Sequence, residues 1–268
     1  MNQRKLRTIK HLIVDMDGVL YRGDELIPGT AEFITFLRQQ GIAFALATNN
    51  STMTPQQFVD KLAGMGVPIT PEEVLTSALA TAGHLAEIAR PGARVFMVGQ
   101  DGLRAALREK GFALVESGAE YVVAGMDFTI CYERLAQATL QIRAGARFIG
   151  TNPDKTFPSE RGIVPGAGSL LAFLQAATGV APEVIGKPGT AMMAQALARM
   201  GARPEAAAVL GDRLETDILA GRRAGLATLL VLSGITDRKL LANSQIQPDL
   251  VFDDVAHLHA AWKEEVDG

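Results

Sequence analysis

The 268-residue chain contains a single cysteine, Cys131, one tryptophan and three tyrosines, and aromatic residues make up only 6% of it. One cysteine excludes an internal disulfide and any zinc site built on thiolates, so redox and structural-metal roles are not expected and Cys131 reads as a packing residue. Long hydrophobic runs are also missing. The basic stretch from Met1 to Lys10 leads into only a few apolar residues, too few for the hydrophobic region of a signal peptide, and no later run is long enough to span a bilayer. These absences predict a cytoplasmic protein without a membrane partner. Charge of one sign is not in excess either: 26 Lys and Arg against 29 Asp and Glu leave a net charge of −3, and no basic run stands out. That balance excludes a nucleic-acid polymer as the expected partner and requires any small anionic ligand to be held by local groups.

What is present is an ordinary globular composition, 48% hydrophobic and 21% charged, distributed as alternating strand and helix signals. This alternation predicts an α/β fold with a mostly parallel sheet and helices on both of its faces. Residues 11–14 form a short apolar run of the kind buried on both sides of such a sheet. A helix is predicted over 31–40, a strand over 42–47, a helix beginning at Thr54-Pro55 with Gln57 completing a capping box, and a short strand over 73–77. A second series begins near Ala82, with strands over 94–98, 121–124 and 147–150 and helices over 103–110 and 132–144. The turn formers in residues 151–162 predict irregular chain, and a helix over 168–177 follows. The glycines at 166 and 168 read as a helix start rather than a phosphate loop, because no Lys-Ser/Thr pair follows them. The first series then resumes with a helix over 191–200 and strands over 207–210, 228–232 and 250–252. The expected organisation is a core of residues 1–81 and 182–268 interrupted by an inserted α/β domain of residues 82–181.

Chemistry concentrates where the strands of the first series end. Asp15 and Asp17 follow the first strand, and residues two apart on extended chain point the same way about 7 Å apart. That gap suits one metal ion and one phosphorus atom. Thr48 and Asn49 follow the second strand and offer a hydroxyl, an amide and backbone N–H groups to phosphate oxygens. Lys187 precedes a helix as a single cation. Asp212 and Asp217 follow the strand at 207–210. A carboxylate that attacks an anionic phosphate meets repulsion, which Mg2+ bridging Asp15, Asp212 and a phosphate oxygen, together with Lys187, would cancel. His257 and His259 are spaced wrongly for one helical face and read as surface or packing residues.

In order, Asp15-Met16-Asp17-Gly18, Thr48-Asn49-Asn50, Lys187 and Gly211-Asp212 through Asp217 resemble the motifs of the haloacid dehalogenase superfamily. The neighbouring Val19-Leu20-Tyr21-Arg22-Gly23, Thr151-Asn152-Pro153-Asp154 and Val164-Pro165-Gly166-Ala167-Gly168-Ser169 narrow the resemblance to the branch containing NagD and the para-nitrophenyl phosphatases. The resemblance implies a Rossmann-like core and hydrolysis of a small phosphorylated metabolite through an aspartyl-phosphate on Asp15, with Asp17 as acid and then base. It further implies that Asp15, the Asp17 carbonyl and Asp212 bind Mg2+, that Asp217 supports the ion from further out, and that Thr48, Asn49 and Lys187 bind the phosphoryl group. The insert becomes a mobile cap that presents Asn152, Asp154 and Phe157 to the leaving group, and a homodimer is expected. Transfer to a sugar hydroxyl and non-catalytic phospho-ligand binding are the competing functions; dehalogenation has no need of the metal site that Asp17, Asp212 and Asp217 would build.

Overall fold

The computed structural model describes residues 6–159 and 162–267. A short 3-10 turn at Leu6–Thr8 leads into β1 (His11–Val14), whose Leu12, Ile13 and Val14 are fully buried. A hairpin of β2 (Tyr21–Arg22) and β3 (Glu25–Leu26) follows, then α1 (Thr30–Gln39), β4 (Ala43–Thr48), α2 (Pro55–Gly64) and β5 (Val74–Thr76). The predicted capping box forms at the start of α2: the Gln57 N–H donates to Thr54 Oγ1 at 3.3 Å and the Thr54 N–H donates to Gln57 Oε1 at 2.7 Å.

The insert comprises α3 (Ser77–Ile88), β6 (Arg94–Val98), α4 (Asp101–Glu109), β7 (Ala113–Leu114), β8 (Tyr121–Ala124), α5 (Tyr132–Arg143), β9 (Arg147–Gly150), β10 (Thr156–Ser159), β11 (Gly162–Pro165), α6 (Ala167–Thr178) and β12 (Glu183–Val184). Five of these strands form a parallel sheet in the order β12-β9-β8-β6-β7. Phe96, Val122, Phe148, Ile142, Leu171 and Leu174 pack as its core, bringing α5 and α6 onto the strands. The last portion supplies α7 (Thr190–Met200), β13 (Ala207–Gly211), a π-turn at Leu214–Ile218, α8 (Leu219–Arg223), β14 (Ala227–Val231), α9 (Arg238–Asn243), β15 (Leu250–Phe252) and α10 (Val255–Asp267).

The larger sheet runs β15-β14-β13-β1-β4-β5. Strands after β1 extend to one side and the late strands to the other, so the order reverses between β1 and β13. Parallel pairing sets Val14 opposite Leu210 across that reversal. Ligands of open α/β sheets bind beyond the carboxyl ends of the strands at such a switch point.

Contacts divide the chain into one unit of residues 1–48, 58–75 and 188–268 and another of residues 49–57 and 76–187. The expected boundary at 81/82 cuts through α3, which is built as one helix from its Thr76 cap, where Oγ1 accepts the Leu79 N–H. At the other end, the Gly186 N–H donates to the Thr151 carbonyl, which ties residues 186 and 187 to the insert rather than to the core.

Residues 151–162 are not wholly irregular. β10 and β11 pair antiparallel, Thr156 opposite Pro165 and Phe157 opposite Val164. A two-strand ribbon has outer edges that ask nothing of Pro158's missing N–H, which is why turn-forming composition did not forbid it. Cys131 is also corrected: it is exposed in extended conformation immediately before α5 rather than packed inside. His257 and His259 lie on α10, the former beside Asp254 and the latter against the Phe36 ring at 4.8 Å. Among the described residues no helix is long and apolar enough to cross a membrane.

Candidate active site

The site residues predicted from sequence fall into two groups, one in each unit. In the core, Asp15 continues β1 with its N–H on the Leu210 carbonyl at 2.8 Å, and Asp212 leaves the end of the neighbouring β13. Asp217 returns to the same place from the π-turn, closed by N–H groups of Asp217 and Ile218 on the Arg213 carbonyl at 3.1 and 3.2 Å. π-turns recur at functional sites because the extra residue re-aims a side chain. One carboxylate oxygen from each of Asp15, Asp212 and Asp217 lies within 4.8 Å of the others, with Asp212 and Asp217 buried. Among the described residues no other group of three or more such ligands exists.

The second oxygens show how these carboxylates are aimed. Asp212 Oδ2 accepts the Ile235 N–H at 2.6 Å, and the Asp212 carbonyl accepts the Thr236 N–H at 3.2 Å. Asp217 Oδ2 accepts the Arg213 N–H at 3.1 Å and the Thr216 hydroxyl at 3.4 Å. Sequence reasoning overlooked the loop from Ser233 to Thr236, although it too follows a core strand. Its Ser233 hydroxyl donates to the Gly18 carbonyl at 2.7 Å, binding the turn after Asp17 to the same construction.

Ionised carboxylates this close repel by about 3 kcal/mol per pair at an effective dielectric near 20, so the cluster calls for a cation. An all-oxygen donor set without histidine or cysteine fits a hard ion that takes carboxylate, carbonyl and water oxygens, as Mg2+ does. Asp17, two residues after Asp15, is exposed. Protein packed around it raises its carboxyl above the ordinary 3.8, against the opposing pull of Lys61, Arg213 and the Gly18 N–H. Burial, with the charges of Asp17 and Asp15, likewise pushes the Tyr21 phenol well up. Thr48 ends β4 and is buried.

In the insert, Asn49, Asn152, Asp154 and Lys187 come together. Asn49 Nδ2 donates to Asp154 Oδ2 and to the Lys187 carbonyl, each at 3.0 Å, and its Oδ1 accepts the Lys187 N–H at 2.8 Å. Its side-chain amide is therefore engaged by Asp154 and the Lys187 peptide. Asn152 is buried, with Nδ2 on the Asn49 carbonyl at 2.7 Å and Oδ1 accepting the Asp154 N–H at 3.2 Å. These bonds link Asn152 and Asp154 to Asn49 within the insert. Phe157 is half-buried, its ring edge-on to Phe128 at 5.8 Å.

A doubly wound α/β unit with an all-carboxylate centre at its switch point defines a metal-dependent enzyme of phosphoryl chemistry. Comparison with known proteins agrees. A haloacid dehalogenase-like hydrolase family matches residues 12–113, and an HAD-hydrolase-like family matches residues 184–258. A 5′-nucleotidase of Bacillus subtilis is 40% identical over 93% of this chain and 97% of its own. Among solved structures, a 4-nitrophenylphosphatase from Thermotoga maritima superposes with a TM-score of 0.92 at 37% identity, covering 95% of this chain and 98% of that one. A glycerol phosphate phosphatase from Mycobacterium tuberculosis, in complex with magnesium, superposes with a TM-score of 0.89 at 35% identity over 96% of this chain and 78% of that one. The chain belongs to the haloacid dehalogenase-like hydrolases, in the branch of NagD and the nitrophenyl phosphatases. Within that family it is a phosphatase of small phosphate monoesters, and its Asp15, Asp212 and Asp217 offer the oxygen donors that a divalent ion would take.

Proposed function

We propose that the reaction runs through an aspartyl-phosphate on Asp15. The observation that carries this reading is the convergence of Asp15, Asp212 and Asp217 within 4.8 Å beyond the carboxyl ends of β1 and β13. Asp15, the Asp17 carbonyl and Asp212 would hold the ion, with Asp217 supporting it from further out. Bound magnesium supplies positive charge that offsets repulsion between nucleophile and phosphate.

Asp15 attacks phosphorus in line with the ester oxygen and takes the phosphoryl group. Asp17, whose raised proton affinity suits an acid, donates its proton to the departing oxygen. The same carboxylate then removes a proton from the water that hydrolyses the acyl phosphate, which returns Asp15 and Asp17 to their starting states. The Thr48 hydroxyl and the Asn49 backbone N–H hold equatorial oxygens, and the Lys187 ammonium neutralises developing charge.

The relatives' names span a nucleotide, an aryl ester and glycerol phosphate, which supports a reaction centre indifferent to the leaving group. The insert then reads that group, with Phe157 as one contact. A cytoplasmic homodimer acting on small phosphorylated metabolites is the setting we assign. Replacing Asp15 by Asn removes the nucleophile and keeps its shape. Phosphate release from a panel of nucleoside, aryl and glycerol monoesters with Mg2+ should fall by at least about a thousandfold, with the thermal transition unchanged. Turnover by Asp15→Asn close to that of the parent would refute the mechanism.

A further inference from the structure

We infer that Asp154, through the side chain of Asn49, and Asn152, through the Asn49 backbone carbonyl, are positioning residues for Lys187; this rests on the proposed role of Lys187 as the cation that neutralises phosphate. The Asn49 amide grips the Lys187 peptide at two points, taking its N–H at 2.8 Å and giving a hydrogen to its carbonyl at 3.0 Å. An amide can sit in such a slot either way round. The Asp154 carboxylate decides which, because an ionised acid has only acceptors and so demands the NH2 edge of Asn49, found 3.0 Å from its Oδ2. With the NH2 edge turned to Asp154 and the Lys187 carbonyl, only Oδ1 remains for the Lys187 N–H.

The rest of the neighbourhood holds this arrangement still. Asn152 Nδ2 and Ser77 Oγ both donate to the Asn49 carbonyl, at 2.7 and 2.6 Å, fixing the backbone from which the amide projects. Gly186 donates its N–H to the Thr151 carbonyl at 2.9 Å, so the chain is pinned one residue before Lys187 as well. A Cβ at Gly186 would stand 2.5 Å from the Thr151 oxygen and 2.7 Å from Asn49 Oδ1, so no side chain fits between the two strand ends. Asp154 is itself held from below: the Gly168 N–H at the start of α6 donates to its carbonyl at 2.9 Å, and the Gly166 N–H donates to the Lys155 carbonyl at 2.8 Å. Cβ atoms at Gly166 and Gly168 would strike the Asp154 and Pro153 oxygens at 2.3 and 2.2 Å, which gives the glycine-rich stretch before α6 its purpose. Lys187 is 2% exposed, so the position of its ammonium follows from a backbone with little room to shift. A misplacement of about 1 Å at a charge-stabilising group costs on the order of a hundredfold in rate.

A positioning role and a leaving-group contact predict different kinetics. With 4-nitrophenyl phosphate, glycerol phosphate and a nucleoside monophosphate, Asp154→Ala should lower kcat by roughly 10- to 100-fold and by the same factor for all three esters. Asp154→Asn, whose amide oxygen can still accept from Asn49, should recover to within about threefold of the parent. In a Lys187→Ala background, removing Asp154 should change kcat by less than about twofold, because the group being positioned is gone. Thermal melts accompany each variant, and Asp154→Ser takes the place of Asp154→Ala in the cycle if the latter loses its folding transition. Losses that differ more than about tenfold among the esters, or a full additional loss in the Lys187→Ala background, would overturn the inference while leaving the phosphatase mechanism intact. An unimpaired Lys187→Ala enzyme would overturn both the role of the lysine and the inference built on it.

Discussion

Gly234 and Gly18 decide where Asp212 points. A Cβ on Gly234 would lie 1.9 Å from Asp212 Oδ2, and one on Gly18, whose φ is +84°, would lie 2.6 Å from the same oxygen. The carboxylate leans on both glycines because the Ile235 N–H draws its Oδ2 into the loop after β14. Gly234→Ala should push the carboxylate out of the cluster and raise the magnesium concentration needed for half-maximal turnover by roughly 10- to 100-fold. A magnesium titration that superposes on the parent's would show that the loop does not aim Asp212. At this scale the acids themselves were legible in the sequence, since carboxylates at the ends of buried strands have few structural reasons to be there. Gly234 was not, because the closeness of two backbones is a property of the folded loop. The bonding of Asn152 and Asp154 was hidden for the same reason: a turn's composition says that it turns, not which chain arrives to meet it.

At the scale of elements, α10 shows how local signals combine with packing. Asp254 precedes the helix, and its Oδ1 accepts both the backbone N–H of His257 at 2.9 Å and the His257 ring at 2.8 Å. Burial alone would raise the Asp254 pKa, but these bonds and the imidazolium charge outweigh it and hold it below the ordinary 3.8. The hydrogen bond and charge of Asp254 in turn raise His257 above 6.5. The histidine's contribution is fully present below its unfolded value and fades as pH rises through the raised folded one. That of Asp254 is present above its unfolded value and fades as pH falls through the depressed one. His257→Ala should therefore lower Tm most between about pH 4 and 6 and progressively less above neutrality. A Tm difference independent of pH would mean that the pair contributes no charge interaction.

The buried face of the same helix sets Trp262, fully enclosed, against Phe33 and Phe36 of α1 at ring separations of 6.4 and 6.1 Å. Trp262→Ala should cost about 3 to 5 kcal/mol in denaturant unfolding, and a loss below about 1 kcal/mol would deny this contact its place in the core. Fully buried strands such as β8, β13 and β14 were legible because parallel sheets write them as short apolar runs bounded by polar residues. The ribbon of β10 and β11 was not, because Thr156, Gly162, Ile163 and Pro165 are exposed and carry no such signature.

For the whole molecule, the division of labour follows from topology. The core sheet reverses its order between β1 and β13, and that reversal brings together carboxylates almost two hundred positions apart in the chain, at 15 and 212. The insert gathers Asn49, Asp154 and Lys187 by its own hydrogen bonds. The order of the motifs made both halves legible. The assignment of Asn49 and Lys187 to the insert was not, since it depends on bonds from residues 151–154. In the proposed mechanism Asp15 carries the phosphoryl group during turnover. Acid quenching in the first turnover with excess substrate and Mg2+, followed by peptide mass spectrometry, tests it directly. One added phosphoryl group on Asp15 is expected, absent after chelation of the metal and absent in Asp15→Asn. A phosphoryl group on another residue, or steady turnover with no phosphorylated protein under any quench time, would contradict it.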